Sequence, residues 1–126
     1  MAGVLVPLVL LPRFTTLGDS GTQEFTTIAL EVTPYEAAIL NAWRGNFVST
    51  AGSPVFKIYF EESTDGTAWS ICGGTSATGE VLAAATETQY TATLTKQWFR
   101  IRVKIESGTN MAVTCWAVGF LEERQR

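Results

Sequence analysis

Three carboxylates, Glu61, Glu62 and Asp65, stand close together in the stretch VFKIYFEESTDGTAW that runs from Val55 to Trp69. Acidic residues this near one another can share general acid and base work in glycoside cleavage, or ligate calcium through several oxygens. Their spacing argues against a catalytic pair. Val55 to Glu61 reads as a strand, with Phe56, Ile58 and Phe60 on one face and Val55, Lys57, Tyr59 and Glu61 on the other. Adjacent residues on a strand leave opposite faces, so Glu61 and Glu62 cannot converge on one substrate. No second acid stands at a convincing position elsewhere. Glu61 is instead expected to pair across the sheet with Arg100, Arg102 and Lys104, each pair adding roughly 0.2–1 kcal/mol. Asp65 and Gly66 form a turn: Gly accepts positive φ, and the Asp side chain bonds its own backbone. Glu62 and Trp69 flank that turn, and Trp69 opens the returning strand.

Other reactive groups are scarce. The chain has no His, which removes the commonest neutral-pH base and metal ligand. Its two cysteines, Cys72 and Cys115, form no CxxC motif. They are read as two buried thiols, with a single disulfide as the alternative, because small disulfide-dependent domains usually carry several bridges. No glycine-rich phosphate loop or nucleophile elbow is present. The expectation is a protein that is not an enzyme, with no catalytic residue, cofactor or metal ligand.

The elements around the acidic turn follow a period of two. At 126 residues, 46% of them hydrophobic, the chain predicts one ordered domain. Its net charge of −3, with Lys and Arg scattered, argues against nucleic acid or an anionic membrane as partner. Residues 1–16 predict an extended arm or edge strand, since Pro7 and Pro12 interrupt an apolar run too short to span a bilayer and lacking the basic start of a signal peptide. No cleavage and no membrane anchor are expected. Leu8, Val9, Leu10 and Leu11 are apolar on both faces, which calls for a cover on both sides.

Residues 17–126 predict the sandwich proper. Leu17 to Thr22 reads as a loop, and Gln23 to Thr33 as one strand with Ile28, Leu30 and Val32 facing in. Thr33-Pro34-Tyr35-Glu36 has the form of a capping box, predicting one or two helical turns; a turn leading into a strand from Ala38 is the alternative. Asn41 to Val48 is strand-like, with Gly45 marking a bulge or close approach, and Ser49 to Pro54 is a loop. Trp69 to Cys72 is a short strand and Gly73 to Gly79 a loop, while Glu80 to Thr86 is open between helix and strand. Thr88 to Lys96 buries Tyr90, Ala92 and Leu94, and Trp98 to Glu106 alternates Phe99, Ile101, Val103 and Ile105 with charged residues. A hairpin at residues 107–110 is expected to return the chain into Met111 to Phe120, whose faces are both largely apolar. The tail from Glu122 is read as solvated or frayed. Short strands and turns without a βαβ rhythm predict an all-β fold, an antiparallel β-sandwich or jelly roll with one short helical turn.

The aromatic residues have two uses open. Phe56, Phe60 and Phe99 have core spacing, whereas Trp43, Trp69, Trp98 and Trp116 sit near strand ends or on mixed faces. Exposed tryptophans can stack on sugars or anchor a protein interface. The interface is favoured, because no polar cluster stands beside them to orient sugar hydroxyls. Its candidate residues are Leu8, Val9, Leu10, Leu11, Trp116 and Phe120.

The stretch FEESTDGTAWS, followed by FRIRVKIESGTNMAV, resembles a group of small tailed-phage virion proteins that share a strand–turn–strand of this form and a later strand of alternating arginines. The likeness covers roughly Phe56 to Val118. It implies a non-enzymatic virion structural protein of bacteriophage type, most simply a capsid decoration or cement protein that bridges neighbouring coat subunits. Such proteins are often trimers, so the implied partners are a major capsid protein or other virion proteins and further copies of the chain. The implied location is the virion, assembled in the host cytoplasm. In that family's pattern Glu62, Asp65, Gly66 and Trp69 make the structural turn, and Arg100 and Arg102 the outward pair. The same turn resembles that of discoidin-like carbohydrate-binding sandwiches, so a carbohydrate-binding module is the alternative, as is a tail or adaptor component.

Overall fold

The computed structural model describes residues 4–19, 23–48, 51–109 and 111–124. Ten strands follow in order: β1 (Leu5–Asp19), β2 (Gln23–Thr26), β3 (Leu30–Glu31), β4 (Tyr35–Arg44), β5 (Ala51–Ser63), β6 (Ser70–Ile71), β7 (Glu80–Val81), β8 (Thr88–Thr93), β9 (Trp98–Thr109) and β10 (Met111–Glu123). They form two antiparallel sheets. The four-stranded sheet has the order β1-β10-β4-β8; in the six-stranded sheet β2 and β3 share one edge of β9, and β6 and β7 share the far edge of β5. Counting β2 with β3, and β6 with β7, as interrupted strands leaves eight, four to each sheet. The chain crosses between sheets in the manner of a jelly roll.

The core lies between the sheets. Alternation supplies it: Ala38, Leu40 and Ala42 from β4, Phe56, Ile58 and Phe60 from β5, Phe99, Ile101, Val103 and Ile105 from β9, and Val113, Cys115, Ala117 and Leu121 from β10 are all buried. The alternation that singled out β5 and β9 in the sequence holds along both strands.

Four expectations need correction. The predicted helical turn is absent: Tyr35–Arg44 is a strand, central in its sheet between β10 and β8. Thr33 does not cap. Its amide donates to Glu31 Oε1 at 3.0 Å, and the amide of Tyr35 closes a tight turn on the carbonyl of Val32 at 2.9 Å. An alternating inner face available for burial outweighs a local capping pattern.

The segment after Gln23 is not one strand. Between the pairs Thr26↔Arg102 and Leu30↔Phe99 it spends one residue more than β9 does. The Thr27 hydroxyl accepts the Ile101 amide at 3.1 Å, where a carbonyl would have continued the ladder. One extra residue exchanges the faces. Phe25 and Leu30 therefore both pack on the core, while Ile28, expected to face in, is 77% exposed.

Strands β9 and β10 do not make a hairpin within a sheet. β9 pairs with β5, β2 and β3, and β10 crosses to the other sheet to lie between β1 and β4. Loop and tail boundaries also move. β1 continues to Asp19, so Leu17 to Asp19 are paired, while Ser20, Gly21 and Thr22 lie outside the described residues. β5 begins at Ala51, with Ser49 and Thr50 outside them, and β10 remains paired through Glu123.

Candidate functional site

Pairing register places side chains on the two outer faces, and the faces differ in kind. Outside the six-stranded sheet, Lys57 and Glu61 of β5 share a surface with Arg100, Arg102, Lys104 and Glu106 of β9 and Glu24 of β2. Glu61 sits between two guanidiniums: its Oε1 accepts from Arg100 Nε at 2.9 Å and its Oε2 from Arg102 Nε at 3.0 Å. Glu24 takes Arg102 Nη1 at 3.0 Å, and Glu106 takes Lys57 at 3.2 Å and Lys104 at 3.8 Å. Aromatic rings back the arginines, Trp69 at 4.1 Å from Arg100 and Tyr59 at 4.0 Å from Arg102. Each of these seven charges has an opposite neighbour, while Glu31, opposite Trp98 at the end of the face, accepts the Thr33 amide instead. Of the three partners expected for Glu61, Arg100 and Arg102 are present, while Lys104 meets Glu24 and Glu106 instead; Glu61 is only 6% exposed.

Glu61, Glu62 and Asp65 are all committed to protein groups. Glu62 leaves the opposite face from Glu61 and accepts the Thr95 amide at 2.8 Å and the Thr95 hydroxyl at 3.0 Å. It therefore ties the end of β5 to the β8–β9 connection rather than shaping the turn. Asp65 Oδ1 accepts the amides of Thr67 at 2.8 Å and Ala68 at 2.9 Å and the Ser63 hydroxyl at 3.0 Å. Those bonds hold its carboxyl below the ordinary carboxylate range. Gly66 beside it has φ of 77°, the positive value expected of it. Among the described residues no group of three His, Cys, Asp or Glu side chains could hold a metal ion. Cys72 and Cys115 are buried free thiols.

The outer face of the four-stranded sheet is apolar along its β1 side. Val9 stands opposite Val118, and Pro7 opposite Phe120, which in turn faces Ile39 on β4. Val9 is 60% and Phe120 44% exposed, and Leu5 on the same face is also exposed. Trp116 faces Trp43, their rings stacked at 4.3 Å, and Arg13 lies over the other side of Trp116 at 4.4 Å. Toward β8 the face turns polar, through Asn41, Gln89, Thr91 and Thr93.

The six candidate interface residues are thus divided. Val9 and Phe120 lie on the exposed band, and Trp116 is half-buried beside it. Leu8 points into the core, 5% exposed, and Leu10 and Leu11 pack partly against it across a bulge, so Leu8 is not available to a partner. The proposed division after residue 16 falls inside β1, which pairs with β10 from Leu5 to Asp19. Sequence reasoning missed Leu5, Pro7, Ile39 and Val118. Their signal was register, which shows only once β10 is placed between β1 and β4.

No protein-family model and no curated protein matches the chain. Among solved structures, it is similar to a chain in the structure of infectious bursal disease virus Gx strain. The TM-score is 0.56 at 9% identity, over 94% of this chain and 31% of the viral one. The chain thus spans about a third of the length of that viral chain. At this identity the likeness concerns the fold: both contain the two-sheet antiparallel sandwich.

Proposed function

We propose that this protein is a non-enzymatic structural component of a virus particle, of the capsid decoration or cement type, docking on neighbouring virion subunits through the outer face of its four-stranded sheet. The observation that carries the reading is the contrast between its faces. One is covered by matched charges, and the other exposes Leu5, Pro7, Val9 and Phe120 in a band with a tryptophan pair at one end. Contiguous exposed apolar surface on a small soluble fold marks a place of contact. The jelly-roll topology and the fold likeness to a chain of a virus structure support the same reading.

Docking of this kind needs no chemistry. Apolar burial contributes about 25 cal/mol per Å², reduced by the cost of immobilising the partners, and repetition over a shell multiplies a weak contact. On this reading the chain resides in the virion and contacts coat subunits and other copies of itself, with a trimer the simplest arrangement.

The test is electron microscopy of the native assembly combined with two variants, Val9→Asp and Phe120→Asp. The four-stranded sheet should face a neighbouring subunit, and each variant should stay folded yet lose its place in the assembly. A native assembly in which that sheet faces solvent would overturn the proposal.

A further inference from the structure

A second feature lies at one end of the sandwich, away from both outer faces. There the β3–β4, β5–β6 and β8–β9 connections meet the residue that follows β10. Thr33, Thr64, Thr95, Lys96, Gln97 and Arg124 line an open cleft of about 300 Å³. The lining holds two cations and no carboxylate.

These cations differ from those of the charged face; Arg13 and Arg44 also meet no carboxylate among the described residues, but each lies over an aromatic ring, Trp116 and Phe47 respectively. Lys57, Arg100, Arg102 and Lys104 each meet a carboxylate. Among the described residues Lys96 and Arg124 meet none, in a chain whose net charge is −3. Both are nevertheless held in place. Lys96 Nζ donates to Ser70 Oγ at 2.7 Å, and Arg124 donates Nε to the Thr33 carbonyl at 3.0 Å and Nη2 to the Leu94 carbonyl at 3.4 Å. Neutral acceptors fix the positions of the two groups and leave their charge unmatched.

Among the described residues two carboxylates bond to lining residues without lining the cleft themselves. Glu62 gives its two oxygens to Thr95, and Glu31 accepts the Thr33 amide. The Thr64 hydroxyl and the Gln97 side-chain amide bond no other described residue and can donate into the cleft. No aromatic ring lines it, so the arrangement recognises a charged head group rather than a flat ring.

We propose that this cleft binds a single oxyanion, the phosphate or carboxylate group of a small ligand, through Lys96 and Arg124 with Thr64 and Gln97 as neutral donors. A guanidinium and an ammonium together suit such a group: one offers a planar set of donors, the other a compact charge. This site is independent of the docking face, and either can fail without the other.

The experiment is an NMR titration of the full chain at low salt with inorganic phosphate, with glucuronate and with neutral glucose. Phosphate or glucuronate should move amide resonances in the lining residues, with a dissociation constant on the order of millimolar, as a solvent-open ionic site allows. Whichever of the two binds more tightly names the source of the oxyanion. Binding should weaken as salt rises. Lys96→Gln should weaken it roughly tenfold with the rest of the spectrum unchanged. Arg124→Gln should do the same, but it also removes two bonds to the backbone, so Lys96→Gln decides. The proposal is overturned if neither anion moves these resonances, if glucose moves them equally, or if Lys96→Gln binds as well as the parent chain.

Discussion

Trp43 and Trp116 face each other on adjacent strands, their ring planes 13° apart and their centroids separated by 4.3 Å. Arg13 closes the stack from the edge strand, at a stretch where the pairing of β1 with β10 is interrupted between Leu11 and Thr15. The stack therefore helps hold β1 where backbone bonds are missing. Trp116→Ala should cost about 2 kcal/mol in urea unfolding, less than full burial would imply because the ring is only partly buried. Hydrogen exchange in that variant should quicken first in β1. Unchanged protection of β1 would show that the bulged strand holds without the stack.

Gly119 answers to a different constraint. A Cβ there would collide with the carbonyl oxygen of Ile39 on the neighbouring strand. Gly119→Ala should destabilise by about 2–3 kcal/mol, as overpacking against backbone does. The adjacent Phe120→Asp, on the exposed face, should change the unfolding midpoint little. Comparable losses for the two would mean that Phe120 is more enclosed than its exposure indicates.

Glu61 is the joint of the charged face. Glu61→Ala would leave Arg100 and Arg102 side by side without their shared carboxylate, and should cost about 2 kcal/mol at low salt. Glu61→Gln keeps both acceptor and shape on one side and should cost less. Equal effects would show that packing against the arginine stems, not charge, matters at this position.

Acid should loosen the turn. The Asp65 carboxyl titrates below its ordinary value, held there first by the Ala68 amide, then by the Thr67 amide and the Ser63 hydroxyl. A depressed folded-state pKa gives stability that is present above the unfolded value and lost as pH falls through the folded one. Stability should therefore decline in the acid range, and Asp65→Asn should flatten part of that decline. A variant that follows the parent curve throughout would remove Asp65 from the acid response.

Both thiols should be inert in the native protein. Burial pushes Cys72 up to about 12, with Glu62 and Glu61 adding to the effect, and burial pushes Cys115 up to about 11. Thiolate is the reactive form, so alkylation at mildly alkaline pH should require unfolding. Rapid modification of either cysteine in the folded chain would contradict its placement.

The parts legible in the sequence were those decided by alternation along a single strand. Phe56 to Phe60 and Phe99 to Ile105 announce an inner face by period two, and the charges between them announce the ladder that Glu61 joins. The Asp65-Gly66 turn was legible because its chemistry is local. What escaped depended on partners distant in sequence. The capping pattern at Thr33 gave way to a strand because β10 and β8 lie on either side to receive it. The two apolar faces of Met111 to Phe120 reflect a strand that leaves its predecessor for the opposite sheet. Leu8 and Val9, neighbours in one greasy run, part company there, one to the core and one to solvent. The polar cleft was invisible because its residues come from four separated segments and share no motif.

The saturated charges outside the six-stranded sheet bear on how far an assembly built from this chain can grow. A molecule that attaches by its oily side turns outward a surface whose ions already satisfy one another. On the proposed docking, a newcomer would find little there to hold, and the coating would stop at one molecule's thickness.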